Sequence, residues 1–390
     1  MSNSRTYLDH NASTVLYDAA RRAMLTVMEL TGNPSSIHAE GRALANIIEK
    51  GRSEVADLAG ADRNQVVFTG SASEAITQAI VGAVNQLGVK KIFMSAGEHQ
   101  AVVGAAKISG AEVEIIGLDE NGLIDVVELE NALARHERFK TTGLICAHMV
   151  NGESGVVQPV EKLEKLLSGT NHFLFVDAVQ ALGKMQIGFV SRQIDMMALS
   201  AHKIGGPAGV GALLMKERCF DAKIIPGGGQ EMGRRGGTAS AMLIAGFGGA
   251  AAEVLRRFDL EKLRKLIEKF ETSLLQLNEN IVIFGKNTKR IGNVSYFAIP
   301  DITNETALIK LDLNGIAVSV GSACSSGKIQ ASSMLQAMGV APELAKCALR
   351  ISVGHNSSQT DIERALGAIE KLIVQHQREI QQITPQAGRS

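Results

Sequence analysis

The sequence predicts an α/β protein with a large, doubly wound, mostly parallel sheet of about seven strands and a smaller α+β domain. Between residues 65 and 215, short apolar runs alternate with helical patterns, which is the rhythm of βαβ units. From about Phe258 onward, the sequence pattern changes to charged helices mixed with strands. We therefore assign a large domain to 15–257 and a small domain to 1–14 plus 258–390.

The elements of the large domain follow from periodicity and from turn residues. An amphipathic helix runs from Leu44 to Leu58 and stops at Gly60. An Ala/Gly-rich stretch at 239–252 predicts a tightly packed helix that is too short to span a bilayer. One further helix is predicted to begin after Gly70. Three more are predicted at 100–108, 126–135 and 160–167. The predicted strands are 65–69, 91–95, 112–118, 143–150, 174–177 and 194–199, with 211–215 as an edge strand.

The small domain has a different pattern. Helices are predicted at 260–277, 306–313 and 361 to about 380, the last capped by Thr360 with Glu363. Strands are predicted at 281–284, 294–299, 317–320 and 349–353.

Composition excludes several classes of partner. Lys plus Arg and Asp plus Glu number 40 each, so no net charge attracts nucleic acid or an anionic membrane. Met1 to Thr6 is polar and gives no signal peptide, so we expect a cytoplasmic protein with reduced cysteines. The four cysteines show no metal-binding spacing, and no metal is expected.

Lys203 and Asp177 are the first candidate site residues. Lys203 follows an apolar strand and precedes a Gly/Pro loop, and Asp177 ends the preceding aromatic and β-branched strand. Ligands of open α/β sheets bind outside the carboxyl ends of the strands. A single lysine on a turn is most often an ordinary surface residue. Together, however, a lysine and an aspartate in this order suit pyridoxal phosphate, which needs a Schiff-base lysine and a carboxylate for its ring nitrogen.

The turn at 70–74 is a candidate anion site. Ser71 and Glu74 fit a capping box at the start of a helix, and a helix N-terminus offers N–H groups to a phosphate. On this motif alone, an ordinary capped helix is the more common explanation.

Cys324 is the candidate nucleophile. It lies between small residues in 320–328, where a reactive thiol and a passive loop residue are equally expected. Cys146 and Cys347 have apolar or helical surroundings, which predict core or incidental residues, while the context of Cys219 is undecided.

The set of motifs resembles one known family. The chain is similar to the class I (NifS/IscS-type) cysteine desulfurases among the fold-type I pyridoxal phosphate enzymes, over nearly its full length. The matching motifs are Tyr7-Leu8-Asp9, Gly32-Asn33-Pro34, Glu98-His99, Val150-Asn151, Val176-Asp177-Ala178 with Gln180, Ser200-x-His202-Lys203, Gly227-Gly228-Gly229, Gly237-Thr238, Gly321-Ser322-Ala323-Cys324 and Arg350.

This resemblance implies roles for several of these residues. The catalytic residues would be Cys324 as nucleophile, Lys203 as Schiff-base lysine and His99, which stacks on the cofactor ring. Asp177 would pair with the ring nitrogen, Gln180 with the phenolic oxygen, and Asn151 would lie nearby. The phosphate would be held by Ala72, Ser73, Ser200 and His202, and by Thr238 of the other subunit of a homodimer. Arg350 would bind the substrate carboxylate, and Asn11 is also assigned to the substrate.

The implied reaction converts L-cysteine to L-alanine and leaves a persulfide on Cys324 for an iron–sulfur scaffold or another sulfur acceptor. Several positions depart from the family pattern, among them Gly152 in place of a second Asn and Gly205 in place of an aromatic residue. A selenocysteine lyase, and more distantly an aminotransferase, are alternative enzymes. A non-catalytic module that docks a sulfur carrier is the alternative from another class.

Overall fold

The structure is a computed structural model that describes residues 5–137, 140–321 and 332–383. The chain divides into two compact units. The larger unit comprises 13–151 and 156–258, and the smaller one contains 5–12, 152–155 and the described residues from 259 onward.

The described residues form twelve strands and thirteen helices, besides short 3-10 turns. The strands are β1 Thr6–Tyr7, β2 Val66–Thr69, β3 Val89–Ser95, β4 Glu112–Ile116, β5 Thr142–His148, β6 Phe173–Asp177, β7 Met196–Ser200, β8 Gly211–Met215, β9 Val282–Ile283, β10 Val294–Ala298, β11 Ile316–Ala317 and β12 Ala348–Ser352. The helices are α1 Asp18–Met28, α2 Ala39–Ala59, α3 Ala72–Gln86, α4 Gln100–Ile108, α5 Val126–Glu137, α6 Val160–Leu167, α7 Gln230–Gly233, α8 Ala241–Arg257, α9 Leu260–Leu277, α10 Asn304–Leu313, α11 Ser333–Ala337, α12 Pro342–Ala345 and α13 Gln359–Ile383.

A seven-stranded sheet organises the larger unit, which confirms the predicted fold class. Its order is β2-β8-β7-β6-β5-β3-β4, and all strands are parallel except β8, which runs antiparallel to both of its neighbours. The carboxyl ends of the six parallel strands therefore share one edge of the sheet. β6, β7 and β8 are buried along their whole lengths, as expected for strands covered by helices on both faces.

The prediction of 211–215 as an edge strand is wrong. β8 lies between β2 and β7, with Gly211 opposite Thr69 on one side and Ser200 on the other. Its apolar residues indicated a buried strand, but they do not show which strands it pairs with in the sheet. Strands that are consecutive in the chain often pair with each other, as β7 and β8 do here. β2, which comes much earlier in the chain, pairs with the other edge of β8.

The Ala/Gly-rich helix packs as its composition predicts. A Cβ on Gly248 of α8 would lie 2.7 Å from the Cα of Gly51 in α2, and a Cβ on Gly51 would lie 2.8 Å from a methyl group of Ile244. Small residues thus let these two helix backbones approach closely. No described helix is long and apolar enough to cross a membrane.

The smaller unit contains an antiparallel sheet, β12-β10-β9, and a parallel pair, β1 and β11. Helix α13 begins earlier than predicted. Ser358 Oγ donates to the Asp361 carboxylate at 2.7 Å, and this carboxylate also accepts from Ser358 N at 2.9 Å, so Ser358 with Asp361 forms the cap instead of Thr360 with Glu363. Both pairs have the same three-residue spacing, so the pattern alone does not choose between them.

Candidate active site

Asp177 and the Lys203 turn come from adjacent strands of the larger unit. Asp177 is the last residue of β6 and pairs in register with Ala198 of β7. Ser200 ends β7, and the 3-10 turn Ala201–Lys203 follows directly. Because β6 and β7 are parallel, both residues leave the sheet at its carboxyl edge.

The Asp177 carboxylate lies in an environment that lacks a strong cation. Burial raises its pKa, the Val179 N–H that donates to Oδ1 at 2.9 Å lowers it, and the Glu98 carboxylate raises it again. No lysine or arginine forms an ion pair with Asp177 within the described residues. A buried carboxylate of this kind is well suited to a ligand with a protonated ring nitrogen.

Glu98 and His148 form a buried pair that sequence reasoning missed. Glu98 Oε1 accepts from the backbone N of His148 at 2.8 Å and lies 2.7 Å from its Nδ1. His148 is the register partner of Asp177 on β5, so both side chains lie on the same face of the sheet. The Glu-His dipeptide at 98–99 was noticed only for His99, because the partner of Glu98 lies fifty positions away in sequence.

The N-terminus of α3 lies directly beside the ends of β7 and β8. A Cβ on Gly211 would lie 2.6 Å from Ala72 N and 2.8 Å from Leu199 O, so only glycine permits this approach. The first N–H groups of a helix have no acceptor within the helix. Ala72 and Ser73 therefore present N–H groups close to the strand end that carries Ser200, an arrangement that suits a phosphate.

The predicted capping box at this turn is half formed. Ser71 Oγ accepts from Glu74 N at 3.1 Å, as predicted. The Glu74 carboxylate instead accepts from Gly70 N at 2.8 Å and from Arg235 Nε at 2.7 Å. Arg235 thus holds the turn at 70–74 in place, and the two residues are 161 positions apart, so no local pattern predicts their contact.

His202 is a neutral neighbour of Lys203. Burial first, and then the charge of Lys203, lower its pKa to about 4, so its imidazole is a hydrogen-bonding group rather than a cation near neutral pH. Gly205 follows with φ +87, and a Cβ there would lie 2.7 Å from the Tyr17 ring. Tyr17 N also donates to Gly205 O at 2.9 Å. Tyr17 therefore fills the space that an aromatic residue at 205 would need.

The residues assigned to the cofactor ring come from three strand ends. His99 caps α4, where its Nδ1 accepts from Ala101 N at 3.1 Å, and its side chain is exposed. Asn151 follows β5 and is buried, with Nδ2 3.4 Å from Gly97 O. Gln180 is buried, and its Oε1 accepts from Lys184 Nζ at 2.7 Å.

Lys184 is a second residue that sequence reasoning missed. It is only 7% exposed, which is unusual for a lysine, and it fixes the carbonyl end of the Gln180 amide. The pairing of Gln180 with a phenolic oxygen stays a prediction. A lysine in an otherwise apolar run was the available signal.

Arg350 and Asn11 lie in the smaller unit, and protein groups surround both. Arg350 is buried on β12, its Nη2 donates to Asp9 Oδ1 at 2.7 Å, and its Nη1 donates to the Gly152 and Gly321 carbonyls. Its Nε has no partner among the described residues. Asn11 donates to Gly152 O at 3.1 Å and accepts from Asn293 at 3.0 Å. Its assignment to the substrate stays a prediction.

Thr238 and Cys324 are the remaining predicted site residues. Thr238 is exposed, three residues before α8. Cys324 lies outside the described residues. The three described cysteines are buried, and burial raises the pKa of the Cys146, Cys219 and Cys347 thiols, so none of them forms a thiolate readily. No cluster of three or more metal-binding side chains occurs in the described ranges.

The larger unit therefore has the groups that pyridoxal phosphate needs at one sheet edge. Asp177 suits the ring nitrogen, Lys203 the aldehyde, and the α3 N-terminus with Ser200 the phosphate. A parallel sheet with these groups at its carboxyl edge defines a pyridoxal phosphate-dependent enzyme of fold type I.

Comparison with known proteins identifies the family. The chain belongs to the class V aminotransferase family, which matches residues 6–365. It is 35% identical to a cysteine desulfurase of Cereibacter sphaeroides, covering 95% of this chain and 96% of that one. It is 32% identical to the cysteine desulfurase IscS of Dictyoglomus turgidum, covering 94% of each. A solved NifS-like protein from Rickettsia africae superposes with a TM-score of 0.84 at 31% identity, covering 95% of this chain and 99% of that one.

Proposed function

We propose that this chain is a cysteine desulfurase that converts L-cysteine to L-alanine and holds the removed sulfur as a persulfide on Cys324. The observation that carries the proposal is the buried Asp177 beside the Lys203 turn, on adjacent parallel strands. The desulfurase relatives match nearly the whole chain, including both units.

Bound pyridoxal phosphate supplies an electron sink for negative charge that develops at the substrate Cα. Asp177 would hold a proton on the ring nitrogen, because a cation beside it would stabilise its buried carboxylate. Lys203 would hold the cofactor aldehyde, and its free amine would take the Cα proton of the substrate. His99 would stack on the cofactor ring, and its Nδ1 accepts from Ala101 N at 3.1 Å.

Arg350 binds the carboxylate of the substrate. A guanidinium recognises a carboxylate through two parallel hydrogen bonds. The buried Nε of Arg350 is one donor for such a pair, and Asp9 and two carbonyls fix the plane of the group. The amino acid is thereby oriented by a group that does not take part in the chemistry.

Cys324 receives the sulfur. Its thiolate attacks the sulfur of the substrate, an S–S bond forms, and the Cβ–S bond breaks with its electron pair moving to carbon. The sulfur is oxidised to the persulfide level while the substrate carbon is reduced to a methyl group, so no further oxidant is needed. The raised thiol pKa values at Cys146, Cys219 and Cys347 support this choice of nucleophile.

A homodimer, a cytoplasmic location and a thiol acceptor or iron–sulfur scaffold as partner complete the proposal. The exposed Thr238 supports the dimer, as do apolar residues on α1 and the loop after it, since apolar surface of this kind marks an interface. Those apolar residues are Leu25, Met28, Leu30 and Ile37. A reducing compartment keeps Cys324 available as a thiol.

The test adds L-cysteine to purified, cofactor-loaded protein and measures alanine together with the mass of the peptide that contains Cys324. Alanine with one extra sulfur on that peptide is expected. Cys324→Ala should abolish both, while Cys347→Ala serves as the matched control and should retain both.

Other outcomes would reject the proposal. Pyruvate with a pyridoxamine form of the cofactor would identify an aminotransferase. Turnover of selenocysteine alone would identify a selenocysteine lyase. The absence of any turnover with cofactor bound would leave a docking module. Alanine formation at an unchanged rate in Cys324→Ala would remove that residue from the mechanism.

A further inference from the structure

Glu98 is a buried carboxylate that the proposed reaction does not use. Its side chain is fully buried, and Oε1 accepts from the backbone N of His148 at 2.8 Å and lies 2.7 Å from His148 Nδ1. Because an ionised carboxylate only accepts hydrogen bonds, His148 Nδ1 carries the proton of this contact. The second oxygen, Oε2, has no hydrogen-bond partner among the described residues. A buried carboxylate that is only half satisfied is costly, so its presence calls for a compensating positive charge.

The Glu98–His148 contact lies beside the residue proposed for the cofactor's ring nitrogen. His148 ends β5 and Asp177 ends β6, and the two are register partners in neighbouring parallel strands. Their Cα atoms are therefore about 4.8 Å apart. Burial first, and the Glu98 carboxylate in addition, raise the pKa of Asp177. The Val179 N–H and the imidazoles of His99 and His148 lower it. Two carboxylates thus share one buried end of the sheet.

The loop between β3 and α4 holds Glu98 in a fixed position. A Cβ on Gly97 would lie 3.1 Å from His148 Cε1, and Asn151 Nδ2 lies 3.4 Å from Gly97 O. The loop therefore packs directly against the end of β5, next to the bonds that Glu98 makes there. A glutamine at position 98 can keep both contacts with His148 through its amide oxygen, because that oxygen is also an acceptor. The position of the side chain and its charge can therefore be separated by experiment.

We propose that Glu98 is a positioning residue that acts through Asp177, because its negative charge, held by His148 beside Asp177, favours a proton on the cofactor's ring nitrogen. This inference rests on the proposed function, in which Asp177 pairs with that nitrogen. Two carboxylates at one buried strand end bind a neighbouring cation more tightly than one carboxylate does. In this role Glu98 touches neither the ring nor the substrate.

The experiment titrates cofactor-depleted protein with pyridoxal phosphate and with deazapyridoxal phosphate, in which a C–H group replaces the ring nitrogen. We expect Glu98→Gln to bind pyridoxal phosphate roughly tenfold more weakly, which corresponds to a change of about one unit in the pKa of the ring nitrogen. The same variant should bind the deaza compound as the wild type does, because that ring takes up no proton. Glu98→Asp keeps the charge on a shorter side chain and should retain more of the preference for pyridoxal phosphate.

Glu164→Gln is the matched control. Glu164 is a second buried carboxylate of the larger unit, which accepts from Gln193 N at 2.7 Å and pairs with Arg192. Residues 192 and 193 precede β7, so this carboxylate lies near the amino end of the strands, and the variant should bind both ligands as the wild type does. Asp177→Asn combined with Glu98→Gln should lose less affinity for pyridoxal phosphate than the product of the single effects, since one residue acts through the other.

Several results would overturn the inference. One is a Glu98→Gln variant whose two affinities match those of Glu164→Gln. Another is an equal loss of affinity for both ligands, which would indicate a general structural role and would be accompanied by a lower unfolding temperature of the cofactor-depleted form. Equal affinity of the wild type for both ligands would show that no residue senses the ring nitrogen. The proposed function fails separately, if wild-type protein that prefers pyridoxal phosphate forms no alanine from L-cysteine.

Discussion

Replacing Gly211 with alanine is expected to weaken cofactor binding through the phosphate alone. Gly211 lies in β8 between Thr69 and Ser200, directly under the first turn of α3. The added methyl group would push the N–H groups of Ala72 and Ser73 away from Ser200. The change touches none of the side chains proposed for the chemistry.

The magnitude follows from the contacts. The new Cβ would lie 2.6 Å from Ala72 N, 2.6 Å from the Ser71 carbonyl carbon and 2.8 Å from Leu199 O, all of them backbone atoms. Ordinary contacts of carbon atoms are about 3.5–4.0 Å, so the helix end must retreat by roughly 1 Å. Overpacking of this kind costs about 1–3 kcal/mol. If that cost falls on the phosphate site, cofactor affinity drops roughly tenfold to a hundredfold.

The assay titrates cofactor-depleted protein with pyridoxal phosphate and, separately, with pyridoxal, which lacks the phosphate. Gly211→Ala should weaken pyridoxal phosphate binding and leave pyridoxal binding unchanged. Gly104→Ala is the matched control, because Gly104 is exposed in α4 with no atom within 4 Å of its added Cβ. That variant should bind normally and be more stable by about 0.5–1 kcal/mol.

Wild-type affinity of Gly211→Ala for pyridoxal phosphate would contradict a phosphate site at this turn. A parallel loss of affinity for both ligands would contradict it equally, since the damage would then not be specific to the phosphate. Thermal unfolding of the cofactor-depleted forms separates the affinity effect from general instability.

Three further predictions use the same protein. Lys184→Met, which removes the 2.7 Å bond to Gln180, should lower cofactor affinity roughly threefold to tenfold and shift its visible absorbance, whereas Lys184→Arg should retain both. The pKa of His202 is lowered from 6.5 to about 4, so between these values the unfolded chain binds more protons and stability falls as the pH drops; His202→Asn should flatten this dependence in thermal unfolding. Arg350→Lys should raise KM for L-cysteine at least tenfold, because lysine cannot form the paired bonds, and an unchanged KM would contradict its role.

The sequence predicted the class of fold and most element positions because periodicity reports burial. The strand ends that carry Asp177 and Ser200 were placed within one residue, since each ends an apolar run at a polar residue. The position of β8 inside the sheet was not predictable, because the pairing of Gly211 with Thr69 joins parts of the chain that share no local signal.

The same limit applies to the site. Lys203 and Asp177 could be found because their chemistry is unusual at strand ends. Asp9, which bonds Arg350 at 2.7 Å, was noticed only as part of a motif, and Glu98 had no visible partner until His148 lay beside it. Charged pairs far apart in sequence leave no periodic trace, whereas a three-dimensional structure shows them directly.

The insertion of β8 also determines the order in which this protein can be assembled on the ribosome. β2 lies at the edge of the sheet, and its hydrogen bonds go to β8. At synthesis rates of about 5–20 residues per second, the roughly 150 residues from Val66 to Met215 take roughly 7–30 s. Throughout that interval β2 lacks the strand to which its hydrogen bonds go, and the proposed phosphate site beside Gly211 is not yet formed. A nascent chain therefore acquires its cofactor only after the larger unit is nearly complete.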